Sequence, residues 1–409
     1  GAENVAMGNY ALGANTIGSI NTAIGSGALL FNTSGHSNVA VGYLTLGSNT
    51  TGQENTAIGR AALYNAVSGG SSTAIGFEAL YANTAVGMVG VGYKVLRSNT
   101  TGTKNTGVGF RALTSNTTGG GNTAMGNKAL MNNTQGGQNI AIGDSVLYAN
   151  VTGTANVAIG NSALAANTVS DNIGIGNRAL VTNITGDRSI AIGTEALSSI
   201  TTIDENVAIG YQALKNTTNG GANTGIGTTV LYSNTIGFAN TAVGYDAMRL
   251  NVAGIDNVAV GMNALYSNNA NYNTAIGAET MRNNTTGQNN TASGCNAMFY
   301  NTAGSENTAF GALSLWSNTT GSSNSSFGFE ALKYNSTGVE NTSIGKKAML
   351  SNSTGSYNTA VGSNALSLNQ SGARNTAVGD DALLNCTSGN QNVAIGRSAM
   401  LSTTDAQRN

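Results

Sequence analysis

The sequence predicts an all-β fold, a repetitive β-solenoid of about 24 rungs in which one short unit is stacked on itself. A glycine recurs 24 times in 409 residues, from Gly8 to Gly396; 20 of the 23 intervals are 17 residues long and three are 16. Between these glycines, apolar residues and asparagines return at fixed places, and charged residues avoid those places. A fixed period over a whole chain indicates a solenoid rather than a globular domain.

The first part of each repeat is the predicted strand. With the recurring glycine as position 0, the repeat runs from −4 to +12 and has the consensus Asn-Thr-Ala-Ile-Gly-x-x-Ala-Leu-x-x-Asn-Thr-Thr-Gly-x-x. Position −3 is Thr, Val or Ile except at Ser325, position −1 is apolar except at Ser293, and position −2 is only Ala, Gly or Ser. Because side chains alternate along a strand, −3 and −1 share one face. We expect that face to line the core.

The second part of the repeat predicts a turn. Positions 0, +3, +4 and +7 never carry a charge, whereas +1, +2 and +5 do, which is a helical spacing. We expect one short helical or 3₁₀ turn here, with a second, bulged strand as the alternative. The Asn-Thr-Thr-Gly stretch that follows has the composition of a turn. The three short repeats, which begin at Gly76, Gly160 and Gly261, are expected to lose their residue after +7, within that turn.

The charge map indicates which columns of the stack are buried. All 17 Lys and Arg residues lie at +1, +2, +5 or +12. Ionised groups avoid burial unless they are paired, so these columns face solvent. We expect the core to combine a Leu/Met ladder at +4 with an Ile/Val ladder at −1. Asparagine occupies −4 in 21 copies and +7 in 19, which predicts stacked amides that join neighbouring rungs.

Composition argues against several classes of function. Charged residues make up 9% of the chain and the net charge is −1, so we expect no basic stripe and no nucleic-acid partner. No apolar run reaches the ~18 residues of a membrane span. His36 is the only histidine, which argues against a histidine metal cluster and a catalytic triad. Cys295 and Cys386 lie five rungs apart, too far for a disulfide. We therefore expect no enzyme activity, no catalytic or metal site and no cofactor.

Aromatic residues in the exposed columns are the candidate surface contacts. They lie at +1 or +5 of their repeats, and the candidates are Tyr43, Phe77, Tyr93, Phe110, Tyr64, Tyr81 and Trp316. One interpretation is a ligand-contacting or carbohydrate-stacking surface. The alternative is packing against a neighbouring chain or over the edge of the core, since aromatic residues are enriched in protein interfaces.

The small residues of the strand suggest a partner chain. The face formed by −4, −2 and 0 carries no charge in any copy, and −2 is never larger than Ser. Small residues permit close approach of another backbone, so we expect a homo-oligomer, most simply a parallel trimer. The alternative is that these residues fit a tight inner corner of the same chain.

The strand motif resembles a known family. Asn38-Val39-Ala40-Val41-Gly42 and Asn156-Val157-Ala158-Ile159-Gly160 are similar to the head repeats of trimeric autotransporter adhesins of the YadA type. Similar repeats occur in phage and bacterial fibre proteins that end in an endosialidase-type chaperone. The resemblance implies a trimeric β-solenoid on a cell or virion surface that serves in attachment. The rung here is longer than the YadA head rung, through its Ala-Leu-x-x-Asn-Thr-Thr-Gly part.

Together these patterns predict a single continuous solenoid over residues 1–409, a segment of a longer fibre protein. Its expected function is extracellular and non-enzymatic, as an adhesin or spacer shaft, with a cell-surface glycan or protein as a further partner. The first alternative is a self-assembling filament or sheath, because uncapped rod ends favour end-to-end growth. The second is an ice-binding solenoid. Free exchange of Thr with Val and Ile at −3 argues against it, because a buried column tolerates such exchange and a lattice-matched row of hydroxyls does not.

Overall fold

The computed structural model describes residues 1–405, 407 and 408, and within them it is a parallel β-solenoid without helices. Two compact units divide the chain, Gly1–Glu205 and Asn206–Asn409. Each unit contributes twelve three-residue strands, and each rung consists of one strand and a long run of turns. The predicted solenoid and its rung length of about 17 residues are therefore confirmed.

The strands of each unit follow one another at the repeat period. In the first unit β1 to β12 are Val5–Met7, Thr22–Ile24, Val39–Val41, Thr56–Ile58, Thr73–Ile75, Val89–Val91, Thr106–Val108, Thr123–Met125, Ile140–Ile142, Val157–Ile159, Ile173–Ile175 and Ile190–Ile192. In the second unit β13 to β24 are Val207–Ile209, Thr224–Ile226, Thr241–Val243, Val258–Val260, Thr274–Ile276, Thr291–Ser293, Thr308–Phe310, Ser325–Phe327, Thr342–Ile344, Thr359–Val361, Thr376–Val378 and Val393–Ile395.

Equivalent positions stack directly on one another. Strand β4 pairs with β5 in parallel, and Thr56, Ala57 and Ile58 lie opposite Thr73, Ala74 and Ile75. The same register holds across a 16-residue interval, where β5 pairs with β6. Each column of the repeat therefore becomes a ladder of like residues along a unit.

The segment after the glycine is neither a helix nor a second strand. Lys128 at +2 and Leu130 at +4 both have left-handed backbones, with φ of 54° and 50°. Their amides bond neighbouring rungs: Lys128 N–H donates to the carbonyl of Phe110, and Leu130 N–H to that of Val146. Left-handed residues cannot continue a right-handed helix. In place of the expected helical or 3₁₀ turn, the segment consists of consecutive β-turns whose amides are hydrogen-bonded to the rungs on either side.

The core contains the leucine ladder but not the expected Ile/Val ladder. Leu130 and Leu147 are fully buried, as predicted for +4. In every strand after the first, however, the middle residue at −2 is buried and the flanking −3 and −1 residues are half-buried or exposed. Ala141 is fully buried, while its neighbour Ile142 is 37% exposed. The prediction that −3 and −1 line the core was wrong.

The reason for this inversion is the thinness of the rung. Buried leucine reaches across the interior to the backbone of the strand, so only a small side chain fits at −2. A Cβ added to Gly225 would lie 2.6 Å from Cδ1 of Leu214, and one added to Gly174 would lie 3.0 Å from Cγ of Leu164. The face of −4, −2 and 0 is therefore the inner wall of the same chain. This corrects the expectation that a partner chain packs there.

Two buried asparagine ladders complete the core. Asn122 at −4 and Asn133 at +7 each donate through Nδ2 to the carbonyl of Gly136, both at 2.9 Å. Each also bonds the equivalent asparagine of the preceding rung, Asn105 at 3.1 Å and Asn116 at 2.8 Å. Buried amides are tolerated when such bonds satisfy them. The predicted amide ladders are present.

The 16-residue rungs preserve the asparagine ladders, because their +7 asparagine donates to a different backbone carbonyl. In the three 16-residue repeats the +7 asparagine donates to the carbonyl two residues later, which is that of Ala85, Val169 or Ala270. In the other repeats it donates to the carbonyl three residues later, as Asn133 does to Gly136. The missing residue thus lies after +7, where the sequence placed it.

The recurring glycine is required for two reasons. Gly143 has φ of 135°, a conformation open only to glycine at low cost, and an added Cβ would lie 2.6 Å from the carbonyl oxygen of Gly160 in the next rung. Gly396, in the last repeat, has φ of 122° but no atom within 4 Å of an added Cβ. Conformation and close stacking both exclude side chains from position 0.

Candidate functional site

Six of the seven aromatic candidates meet in the first unit. Position +1 of five consecutive rungs forms a column that we call the +1 ladder; its members are Tyr43, Arg60, Phe77, Tyr93 and Phe110. Its rings stack almost in parallel, with centroids 5.3 Å apart for Phe77–Tyr93 and 5.2 Å for Tyr93–Phe110. Arg60 is the one member without an aromatic ring, and its guanidinium lies between two rings, 5.9 Å from that of Tyr43 and 5.6 Å from that of Phe77.

The stacking covers the ring faces and leaves the edges outward. Phe77 has Arg60 on one face and Tyr93 on the other, and Tyr93 lies between Phe77 and Phe110. A sugar ring that stacks on an aromatic residue needs an open face. At the interior rings Phe77 and Tyr93 a ligand would therefore meet ring edges rather than open ring faces.

The other two candidates of this unit line a groove beside the +1 ladder. Tyr64 and Tyr81 at +5 stack with centroids 5.4 Å apart, and the Arg97 guanidinium covers the Tyr81 ring at 5.3 Å. Arg97 in turn bonds the carboxylate of Glu78 at 2.6 Å. The open groove between the two columns has a volume of about 210 Å³, and its lining comprises Tyr43, Leu44, Arg60, Ala61, Tyr64, Glu78 and Tyr81.

Trp316 belongs to a different surface, in the second unit. There position +5 carries only cations and aromatic rings over eight rungs, a column that we call the cation–aromatic ladder: Lys215, Tyr232, Arg249, Tyr266, Arg282, Phe299, Trp316 and Lys333. Arg282 lies 5.4 Å from the Tyr266 ring and 5.9 Å from the Phe299 ring, and Lys333 lies 5.8 Å from that of Trp316.

The cation–aromatic ladder contains four cations, and acids at +2 pair with three of them. Asp246, Glu279 and Glu330 each lie three residues before a cation and pair with it. The hydrogen bond from Lys333 lowers the pKa of Glu330, against the effect of burial, and raises the pKa of Lys333 in return. Paired cations among rings are poorly disposed to bind phosphates. This succession of cations and aromatic rings could have been found in the sequence by comparing position +5 from rung to rung.

A second candidate surface is the outward face of the sheet. It is formed by −3 and −1, where Ile58, Ile75 and Ile142 are 37 to 39% exposed. Neither column contains a charged residue in any repeat. Twelve strands at ~4.8 Å give each unit a face about 55 Å long. Position −1 is apolar except at Ser293, whereas −3 mixes Thr with Val and Ile, so the face carries an apolar stripe along −1. Extended exposed apolar surface of this kind marks interaction sites.

The remaining reactive residues lie apart from one another. His36 is exposed, with Nδ1 3.3 Å from Oγ of Ser37. Cys295 is exposed and Cys386 is buried at +7, where desolvation raises the pKa of its thiol. Among residues 1–405, 407 and 408, no group of three His, Cys, Asp or Glu side chains could hold a metal ion, and no helix could cross a membrane.

No protein-family model matches this chain, and no curated protein sequence matches it. Inference about function therefore depends on the two surfaces.

Proposed function

We propose that the chain is a non-enzymatic segment of an extracellular fibre on a cell or virion surface, serving as an adhesin or as a spacer shaft. The observation that carries the proposal is the outward sheet face, which repeats an apolar column at −1 without one charged residue. The resemblance to the YadA-type head repeats supplies the surface location. A stack whose buried amides bond from rung to rung is suited to transmit load along a fibre.

The outward face also supports self-association as a parallel homotrimer. Three copies that turn the −3 and −1 columns toward one axis would bury the exposed isoleucine and valine side chains. In a closed threefold ring each copy contacts one neighbour through one side of this face and the other neighbour through the other side, so no contact surface is left unmatched. The trimer thus rests on a different face from the one that the small residues at −2 suggested.

Light scattering after size-exclusion chromatography tests the assembly. The wild-type chain should elute with three times its monomer mass at micromolar concentration. Ile142→Glu and Ile226→Glu each place a carboxylate on the outward face of one unit, and the double variant should be monomeric with an unchanged circular dichroism spectrum. Asn161→Glu, at the exposed +1 column, is the control and should remain trimeric. A monomeric wild-type chain would reject the trimer.

Binding to cells separates an adhesin from a spacer. A labelled trimer that binds cells or immobilised glycans in a saturable manner would support attachment. A trimer that binds neither would leave the spacer role. Electron microscopy of the same material distinguishes discrete particles from long filaments, and filaments would favour the sheath alternative.

One observation favours the alternative that the solenoid binds ice. In the second unit position −3 carries a hydroxyl in seven consecutive rungs, from Thr274 to Thr376, and this column faces outward. Because the −3 column is half-buried or exposed, the exchange of Thr with Val and Ile there does not count against ice binding as exchange in a buried column would. Val and Ile still interrupt the column in the first unit, as at Val157 and Ile173. Thermal hysteresis measurements decide the matter, and clear activity would displace the adhesin proposal.

A further inference from the structure

The groove beside the +1 ladder differs from the rest of its column. Its floor is Leu44 and Ala61 at +2, a position that carries a polar or charged residue in most repeats. The short Ala61 side chain leaves the space that the tyrosine rings border. The volume of about 210 Å³ is below the ~300 Å³ at which drug-sized pockets begin, so the groove fits one small ring.

Arg60 supplies an unpaired guanidinium at one wall of this groove. It is exposed, and no carboxylate of the described residues lies within salt-bridge distance of it. Three other arginines that contact aromatic rings do have an acid: Arg97 pairs with Glu78, Arg249 with Asp246 and Arg282 with Glu279. Arg111 and Arg374, which also contact rings, resemble Arg60 in having no ion pair among the described residues, but they lie outside this groove. The rings of Tyr43 and Phe77 on either side constrain the guanidinium plane, so its N–H edge is the part open to a ligand. Guanidinium groups bind carboxylates through two parallel hydrogen bonds.

The rest of the groove lining supplies acceptors and hydroxyls. Glu78 uses Oε2 for both of its cation contacts, to Arg97 at 2.6 Å and to Lys94 at 4.0 Å. Its Oε1 has no hydrogen bond to any residue that the structure describes, and neither do the hydroxyls of Tyr43, Tyr64 and Tyr81. The groove therefore combines one cationic fork, one acceptor, three phenol groups and an apolar floor.

We propose that this groove binds a carboxylated sugar residue of a surface glycan, of the uronate or sialate class. The sugar carboxylate pairs with the Arg60 fork, its hydroxyls bond Glu78 and the tyrosine hydroxyls, and its C–H groups lie on Leu44 and Ala61. A neutral sugar lacks the partner for Arg60 and binds less tightly. The assignment deepens the proposed attachment function and rests on it, since it names the ligand class of the adhesin.

Isothermal titration of the intact chain tests the assignment with three probes: a galacturonate oligosaccharide, sialyllactose and lactose. At least one acidic probe should bind at least about 10-fold more tightly than lactose, as a charge-assisted pair requires. Arg60→Gln should remove about that factor for the acidic probe and leave lactose unchanged. Tyr64→Phe and Tyr81→Phe keep the ring stack and should each weaken binding about threefold or more.

Arg374→Gln is the matched control, because Arg374 also covers a tyrosine ring, that of Tyr357 at 5.4 Å, away from the groove. It should bind the acidic probe like the wild type. Arg60→Lys keeps the charge without the fork and should give an intermediate affinity, which guards against a folding defect in Arg60→Gln. Equal binding by wild type and Arg60→Gln, or no preference for either acidic probe, overturns the assignment. If the Arg60→Gln trimer still attaches to cells, the attachment function stands and only the groove assignment fails.

Discussion

At the residue scale, the buried asparagines explain both the regularity of the stack and its weak points. Four of the +7 amide oxygens have no hydrogen-bond partner among the described residues, those of Asn49, Asn150, Asn251 and Asn369. In the rung after Asn49 position +7 is Ala66, and in the rung after Asn369 it is Cys386, so no amide can donate. Asn150 and Asn251 are each followed by one of the 16-residue rungs. Each orphaned oxygen thus marks an interruption of the ladder. These rung junctions should open first when the chain is heated.

Replacing an uninterrupted ladder member should be costly. Asn133→Ala removes the donor to Asn116 and Gly136, and it leaves the Nδ2 of Asn150 with only one of its two acceptors, the carbonyl of Gly153. Unsatisfied buried groups cost about 1 to 3 kcal/mol each, so a loss of about 2 to 4 kcal/mol is expected in denaturant unfolding. Asn219→Ala, at an exposed +9 position, should change stability by less than about 0.5 kcal/mol. Equal effects of the two changes would contradict the role assigned to the ladder.

At the element scale, the rung is defined by residues with unusual backbone conformations rather than by a helix. Leucine at +4 adopts φ near 50° in rung after rung, as in Leu130 and Leu147. A bulky residue in this region costs roughly 1 to 2 kcal/mol. Burial of the leucine and the hydrogen bond from its amide to the next rung offset that cost. The rung is therefore stable only within a stack.

Two substitutions separate the effect of close stacking at position 0 on stability from the effect of its backbone conformation. Gly143→Ala introduces a Cβ at 2.6 Å from the Gly160 carbonyl oxygen and also strains φ. Gly396→Ala strains φ in the same way but meets no atom within 4 Å. Gly143→Ala should lower the melting temperature clearly more than Gly396→Ala, with local loss of hydrogen-exchange protection in β8 to β10. Equal melting temperatures would mean that conformation alone selects glycine.

The ion pairs of the cation–aromatic ladder predict a step in stability with pH. Glu330 bonds Lys333 at 2.7 Å and lies 3.7 Å from Lys347, and the Lys333 hydrogen bond lowers its pKa. A carboxyl whose folded pKa lies below its unfolded pKa binds fewer protons when folded. Its contribution is therefore present above the unfolded value of about 4.3 and is lost as pH falls through the lower folded value.

Glu330→Gln should remove this step. The wild type should lose about 1 kcal/mol more than the variant between about pH 5 and the acid limit of the titration, as for a partly buried pair. Glu340→Gln, which removes an exposed carboxyl, is the control and should retain the wild-type slope. Identical pH profiles for wild type and Glu330→Gln would show that the pair does not stabilise the fold.

At the scale of the whole molecule, the periodicity of the sequence predicted the fold class correctly. The hydrophobicity of the strand residues, in contrast, predicted the wrong face of the strand to be buried. The 17-residue period, the leucine ladder at +4 and the amide ladders follow from counting columns. The strand orientation did not follow, because Ile142 is more apolar than Ala141 and was placed inwards on that basis. The width of the interior decides which residues face inwards, and it is revealed by the contact of Leu164 and Leu214 with the strand backbone at −2. Arg60 and Glu78 were missed because their grouping with Tyr43, Tyr64 and Tyr81 spans three rungs.

The proposed trimer surface depends on which way the strand faces, so the orientation of the strand is the central claim. The most direct test is the free energy of unfolding of Ala141→Ile and Ile142→Ala, measured at two protein concentrations. Ala141→Ile overpacks the interior and should lose about 2 kcal/mol or more at both concentrations. Ile142→Ala should lose less than about 1 kcal/mol in the dilute sample, with any larger loss confined to the concentrated, associated one. A tolerated Ala141→Ile together with a large, concentration-independent loss for Ile142→Ala would contradict the account.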